Sequence, residues 1–285
     1  MNNATAWNLG GRTAVITGAA SGFGRELALV CRDAGMQLVL ADVDEAGLAQ
    51  TLALTGLAPA RAVTQRCDVS RADDVDRLAR LAQQRFGGAH VLFNNAGVLA
   101  AGPIWKATPQ DWNWVFGVNV MGVAHGVRSF VPAMLDRGEP AWVVNVASAA
   151  GLLCPPDLGV YSASKHAVVA ISECLHHELA ASGKPVGVSV LCPSFVDTGI
   201  ADADRQRPAS LDDANPEQAA TIARIRKATR GGTLSAAQVA QCTLEAVRAR
   251  RFYVLPHDKV VPAVAQRLAA LIAGDAPVDA RASPR

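Results

Sequence analysis

Ser148, Tyr161 and Lys165 are the residues of this chain whose types and spacing could do chemistry. Tyr161 and Lys165 stand four apart in Tyr161-Ser-Ala-Ser-Lys165, so on a helix both side chains leave the same face, one turn from each other. An unperturbed tyrosine, with a pKa of about 10, is a poor acid–base group at neutral pH. A neighbouring ammonium favours the phenolate and draws that value down, which makes the hydroxyl useful near pH 7. Taken alone, the pair reads as well as a capping tyrosine and a lysine reaching for water. Other parts of the chain must give it something to act on.

A glycine loop is the first such part. Thr17-Gly18-Ala19-Ala20-Ser21-Gly22-Phe23-Gly24 follows the first β-branched run and opens the first helical segment. Glycines there allow a tight turn and close approach to a pyrophosphate, whose charge meets the helix N-terminus. The spacing is G-x-x-x-G-x-G, which differs from the commoner G-x-G-x-x-G. Asp42, ending the second run, could accept hydrogen bonds from both ribose hydroxyls of an adenosine, or simply cap the next helix. A 2′-phosphate ~4 Å away would cost on the order of 4 kcal/mol per unit charge pair at an effective dielectric of about 20. Ser21 and Val43 supply no counter-charge. NAD is therefore favoured over NADP as cofactor.

Positioning these residues takes a regular alternation of elements. Strands are expected at 12–17, 37–42, 61–67, 90–93, 141–146, 186–191 and 252–255. Helical periods fall at 22–34, 44–55, 71–86, 109–135, from Tyr161 to about 182, and at 235–249. Strand–helix alternation throughout implies parallel strands joined by right-handed crossovers. The fold class is α/β, a Rossmann-like doubly wound parallel sheet of about seven strands with helices on both faces. Its ligands belong beyond the C-terminal strand ends. Residues 1–256 are read as one domain, with 194–232 as a polar, proline-containing substrate lid holding a little helix. Residues 257–285 are read as a C-terminal helix and a frayed tail.

Composition narrows the function classes. Half of the 285 residues are hydrophobic and 18% are charged, enough to bury a core. Twenty-seven basic against 25 acidic residues give a net charge of +2, which calls for neither a nucleic-acid nor a membrane partner. No basic leader with an apolar run is visible at the N-terminus, and no apolar stretch is long enough to span a bilayer. The six cysteines are scattered without a C-x-x-C pair, which suits reduced thiols in the cytoplasm. His176-His177-Glu178 lacks the spacing of a zinc helix, so no metal site is expected.

With Asp68-Val69, Asn94-Asn95-Ala96-Gly97 and Asn119 added in order, the chain resembles the short-chain dehydrogenase/reductase family over roughly residues 10–256. The resemblance implies a catalytic set of Asn119, Ser148, Tyr161 and Lys165. Ser148 would hold the substrate oxygen and Tyr161 would exchange its proton. Lys165 would bind the nicotinamide ribose and lower the tyrosine pKa, and Asn119 would retain a water linking Lys165 to solvent. Cofactor contacts would come from Gly18, Ser21, Gly22, Phe23, Gly24, Asp42, Asp68, Val69, Asn95, Ala96, Gly97, Tyr161, Lys165, Pro193, Val196 and Thr198. Asp68 would meet the adenine amino group, and Thr198 the carboxamide. One departure stands out: Pro193 is followed by Ser194 where the family usually has glycine.

The substrate pocket is expected to include Ala150, Leu152, Cys154, Leu158 and Phe195, beside Leu99, Leu153 and Ile200. Such walls suit a hydrophobic secondary alcohol or ketone. The helices carrying Asn119 and Tyr161 are apolar around most of their circumference, so a homodimer or homotetramer is expected. A redox sensor or scaffold that binds NAD without turnover is the competing function. Sugar-nucleotide epimerase or dehydratase chemistry is a weaker third.

Overall fold

Short runs rich in Val, Ile, Leu and Ala become the inner strands, buried on both faces between helices, and the two edge strands are partly exposed. The strands are β1 (Thr13–Thr17), β2 (Gln37–Asp42), β3 (Ala62–Arg66), β4 (Val91–Asn94), β5 (Ala141–Val146), β6 (Val186–Leu191) and β7 (Tyr253–Val254). They pair in parallel in the order β3-β2-β1-β4-β5-β6-β7, so the chain reverses its winding between β1 and β4. The structure is a computed structural model and describes residues 7–201, 207 and 216–279.

The helices are α1 (Gly22–Asp33), α2 (Glu45–Thr55), α3 (Ala72–Phe86), α4 (Pro109–Phe116), α5 (Gly122–Arg137), α6 (Gly159–Ala181), α7 (Pro216–Arg230), α8 (Ala236–Arg248) and α9 (Val260–Ala273). Local chemistry sets several ends. The Asp44 carboxylate accepts from the Gly47 N–H at the start of α2. Thr108 and Asp111 form a reciprocal capping box before α4, and Ser235 with Gln238 does the same before α8.

Two apolar layers sandwich the sheet. On one face Leu27, Ala28 and Cys31 of α1 meet Val239, Leu244 and Val247 of α8 over Ile16, Leu38 and Phe93. On the other, Leu78 of α3, Phe130 and Met134 of α5, and Leu175 and Leu179 of α6 cover Val15, Val39 and Val143. A buried polar chain runs through the middle of the second layer. Asn94 Nδ2 donates to Asn145 Oδ1 (2.9 Å), Asn145 Nδ2 to Ser172 Oγ (3.0 Å), and Ser172 Oγ to the Val168 carbonyl (2.7 Å). It ties β4, β5 and α6 in one register.

The architecture is the α/β class expected, and most boundaries agree within a residue or two. Two details differ. The single helix expected over 109–135 is two helices joined by a π turn, Gly117–Met121. The little helix expected within 194–232 is α7, 15 residues long. Residues 202–206 and 208–215 of the expected lid, with the termini at 1–6 and 280–285, lie outside the described residues. Ser194 has no positive φ, so the conformational freedom of the usual glycine is not called on there. Among the described residues no helix is long and apolar enough to cross a membrane.

Candidate active site

Every predicted site residue lies at or beyond the C-terminal ends of β1 to β6, or on the helices that follow. This is the crevice that a change of winding opens in a doubly wound sheet. Two connected hollows occupy it.

The first is a trough of about 240 Å³ running along the ends of β1, β2 and β3. Gly18, Ser21, Gly22, Phe23, Gly24, Asp42, Asp68, Val69, Asn95, Ala96, Gly97 and Thr198 all line it. Its floor is held by Asn95, whose Nδ2 donates to the carbonyls of Thr17 (2.8 Å) and Gly18 (3.2 Å). Gly18 sits at φ 68°, and a β-carbon there would stand 2.8 Å from Ala96 Cα. Only glycine lets β1 and β4 come this close while the loop turns. The N-terminus of α1 opens onto the trough after the extended Ser21.

Asp42 accepts from the Ala20 N–H (3.0 Å) and the Asp44 N–H (3.1 Å). Burial raises its pKa, and these backbone donors pull the other way. Arg25 lies nearby but does not line the trough; it donates to the Ala20 carbonyl and to Thr51. A glycine-floored trough with a helix N-terminus at its middle and a carboxylate at the end of β2 fits the adenosine and pyrophosphate of a dinucleotide.

The second hollow is a cavity of about 520 Å³, walled mainly by apolar groups. Ser148, Tyr161, Lys165, Pro193 and Val196 line it, as do Ala150, Leu158 and Phe195. It shares Phe23, Asn95, Gly97, Thr198 and Ile200 with the trough, so the hollows meet beside the tyrosine–lysine face of α6.

Two expected pocket residues are elsewhere. The tight 3-10 turn Ala149–Gly151 sends Leu152 into the apolar cluster with Val123, Val168 and Val169, leaving Leu153 to face the cavity. Cys154 points outward and is exposed, its Sγ 3.9 Å from His166 Nε2.

Around Ser148, Tyr161 and Lys165 the contacts are specific. Lys165 Nζ is buried, donates to the Val146 carbonyl (2.8 Å), and lies 5.7 Å from the centre of the Tyr161 ring. Burial pushes its pKa down to about 8. Burial pushes the Tyr161 phenol up to about 12, with its hydrogen bond to Ser148 acting against that. Burial therefore outweighs the lowering that the four-residue spacing suggests. Asn119 sits in the π turn with both ends of its carboxamide engaged. Nδ2 donates to the Val98 carbonyl and to Ser164 Oγ (3.0 Å each), and Oδ1 accepts from the Val98 N–H (2.8 Å). A β-carbon on Gly97 would stand 3.4 Å from both Asn119 Oδ1 and Lys165 Nζ.

The sequence reading passes over a further group on the cavity wall. Thr221, Arg224, Ile225, Ala228 and Thr229 of α7 line it, and Arg224 pairs with Asp157 at 3.0 Å. The three-residue spacing of Ile222 and Ile225, both buried, is the available sequence signal for α7. Asp157 adopts φ 65°, a strained position that nothing in its residue type announces.

A family model described as short chain dehydrogenase matches residues 12–209. The chain belongs to the short-chain dehydrogenase family. Among curated relatives of this short-chain dehydrogenase is a CLA biosynthesis dehydrogenase/reductase from Lactiplantibacillus plantarum. It is 30% identical over 269 residues, covering 92% of this chain and 93% of that one. A C alpha-dehydrogenase from Sphingobium is 34% identical over 274 residues, covering 94% and 88%. Among solved structures, a short chain dehydrogenase/reductase from Burkholderia phymatum, crystallised in complex with NAD, is 49% identical. It superposes with a TM-score of 0.94 over 98% of this chain and 100% of that one. Oxidoreduction is the activity that this membership carries.

Proposed function

We propose that this short-chain dehydrogenase transfers a hydride between NAD and a hydrophobic secondary alcohol or ketone, with Tyr161 as the acid–base group. The observation that carries the proposal is the junction of the two hollows. Ser148, Tyr161 and Lys165 line an apolar cavity where it meets a trough shaped for a dinucleotide. The Burkholderia phymatum relative, with NAD in its crystals, supports the choice of cofactor.

Bound in the trough, the nicotinamide would supply the hydride acceptor or donor. This chain's residues would do the rest. Asp42 would accept from the adenosine ribose, with no cation among the described residues on the trough wall beside it for a 2′-phosphate, so NAD would be preferred over NADP. Asp68 and Val69 would hold the adenine, and the α1 N-terminus the pyrophosphate. Ser148 would fix the substrate oxygen. Tyr161, kept neutral by burial, would donate a proton as a ketone is reduced, and its phenolate would take that proton back in oxidation. Lys165 and Asn119 would order the ribose and the proton's exit. The apolar wall supports a substrate without charge near its reacting carbon.

A homodimer or homotetramer is supported by the outer faces of α5 and α6. Ala170, Cys174 and Met121 are exposed there beside half-buried Ile171 and Val127.

Tyr161→Phe tests the reading. Oxidation of an alcohol that the wild type turns over is expected to disappear, with NADH binding close to normal by fluorescence titration. Retained turnover would remove Tyr161 from the mechanism. A wild type that binds NADH but oxidises or reduces nothing in a panel of aliphatic, aromatic and steroidal substrates would favour the sensor.

A further inference from the structure

Beyond the catalytic residues, one buried histidine touches their support. His257 lies three residues past β7, with only 7% of its surface exposed. Its Nδ1 accepts from the Ser194 N–H at 3.2 Å. The peptide group that carries this N–H also carries the Pro193 carbonyl. That carbonyl accepts from the Ala149 N–H (2.8 Å) and is 3.5 Å from Ser148 Oγ, which donates to it. A peptide group is planar, so fixing the direction of its N–H fixes the direction of its C=O. The Pro193–Ser194 peptide is thus held at both ends, by His257 on one side and by the Ser148–Ala149 turn on the other.

We propose that His257 is a positioning residue for the reaction, holding the Pro193–Ser194 peptide so that the Pro193 carbonyl orients the Ser148 hydroxyl. This rests on the reading of Ser148 as the residue that meets the substrate oxygen.

The chain has reason to use a side chain here. The segment after β6 leaves the sheet, and a half-buried N–H without a ladder partner needs an acceptor. An imidazole with its proton on Nε2 presents Nδ1 as that acceptor. The backbone around the ring is itself anchored, because the His257 carbonyl accepts from the Val260 N–H (3.0 Å) at the start of α9. Burial lowers the pKa of the ring, while the Phe195 backbone and Asp258 act against that. A neutral ring is the state in which Nδ1 can accept. The C-terminal segment is in this way wired to the catalytic serine through one imidazole and one peptide.

The test compares wild type with His257→Leu, which removes the acceptor, and His257→Asn, whose Oδ1 can occupy the place of Nδ1. With Leu, kcat is expected to fall about tenfold or more, in line with the cost of a misplaced reacting group, while NADH affinity and substrate KM change little. Asn is expected to recover most of kcat. A Leu variant as fast as wild type would overturn the proposal. So would an Asn variant as slow as Leu at equal thermal stability.

A second measurement needs no turnover. Nitrogen-15 NMR of the wild-type imidazole is expected to find Nδ1 without a proton. The Ser194 amide is expected to exchange faster in the Leu variant and to be protected again with Asn. A protonated Nδ1, or Ser194 exchange indifferent to the substitution, would overturn the proposal whatever the enzyme assay gives. If the wild type turns over no alcohol or ketone, the oxidoreductase assignment fails, and the exchange data still judge the hydrogen bond.

Discussion

Asp42 ends β2 with two backbone N–H donors on its carboxylate and, among the described residues, no cation beside it on the trough wall. Removing the charge removes the repulsion against a 2′-phosphate. Asp42→Ala is therefore expected to raise the ratio of NADP to NAD use, measured as kcat/KM for each. An unchanged or lower ratio would argue against charge as the discriminator. At this scale much of the trough was legible in residue types, because Gly18, Gly22 and Asp42 are tied to strand ends that periodicity locates. Less legible were directions. Leu152 and Leu153 are the same residue type side by side, and the 3-10 turn before them decides which faces the cavity. His257 gave no signal, since its partner is a backbone N–H sixty-three residues away.

Helix α7 carries one wall of the cavity and is fastened to the loop before α6 by Arg224 and Asp157. Arg224 is largely exposed, so the pair contributes little to stability, on the order of 0–1 kcal/mol. Its effect belongs instead to the position of α7 over the cavity. Arg224→Ala is expected to raise the substrate KM severalfold while the unfolding midpoint stays nearly constant. A large loss of stability with unchanged KM would reverse that assignment. The element's existence was only partly legible. The polar, proline-bearing stretch reads as a lid, whereas the length of α7 depends on Ile222 and Ile225 finding Leu99 and Tyr161 across the cavity. Strand and helix boundaries elsewhere were readable because burial on both faces leaves β-branched runs, and caps such as Thr108 and Ser235 mark the helix starts.

For the whole molecule, buried ionisable groups set an alkaline limit. Burial pushes the thiols of Cys31, Cys67 and Cys192 up to about 12 from an ordinary 9.0. These folded-state values lie above the unfolded ones, so their contribution is fully present below pH 9 and is lost as pH rises toward 12. Each thiol can remove on the order of 1 kcal/mol per pH unit in that window. Lys165 acts in the opposite sense between about 8 and 10.5, because its folded value is the lower one. Three thiols outweigh one lysine, so urea midpoints are expected to fall from pH 9 upward, and less steeply in Cys31→Val. A flat profile would contradict the burial assigned to these groups. Assembly is tested separately: Ala170→Glu combined with Cys174→Glu is expected to yield monomers by analytical ultracentrifugation. The overall topology was legible because alternation and handedness leave few choices. The proposed assembly was not, since it would depend on how two surfaces fit each other.

The π turn at Gly117–Met121 has a consequence in angular phase. Each α-helical residue advances the helix by about 100°, and the wide turn accommodates one residue more than a regular helix would. Asn119 can therefore face Val98 and Ser164 while Phe130 and Met134, further along, still face the sheet. An unbroken helix of the same sequence would satisfy one of these orientations and rotate the other away. Forcing the same residues into a regular helix would turn α5 relative to α4 by about 100°, a little over a quarter of a revolution. Chain length in this segment, counted to the residue, is as much a part of the candidate site as the side chains it presents.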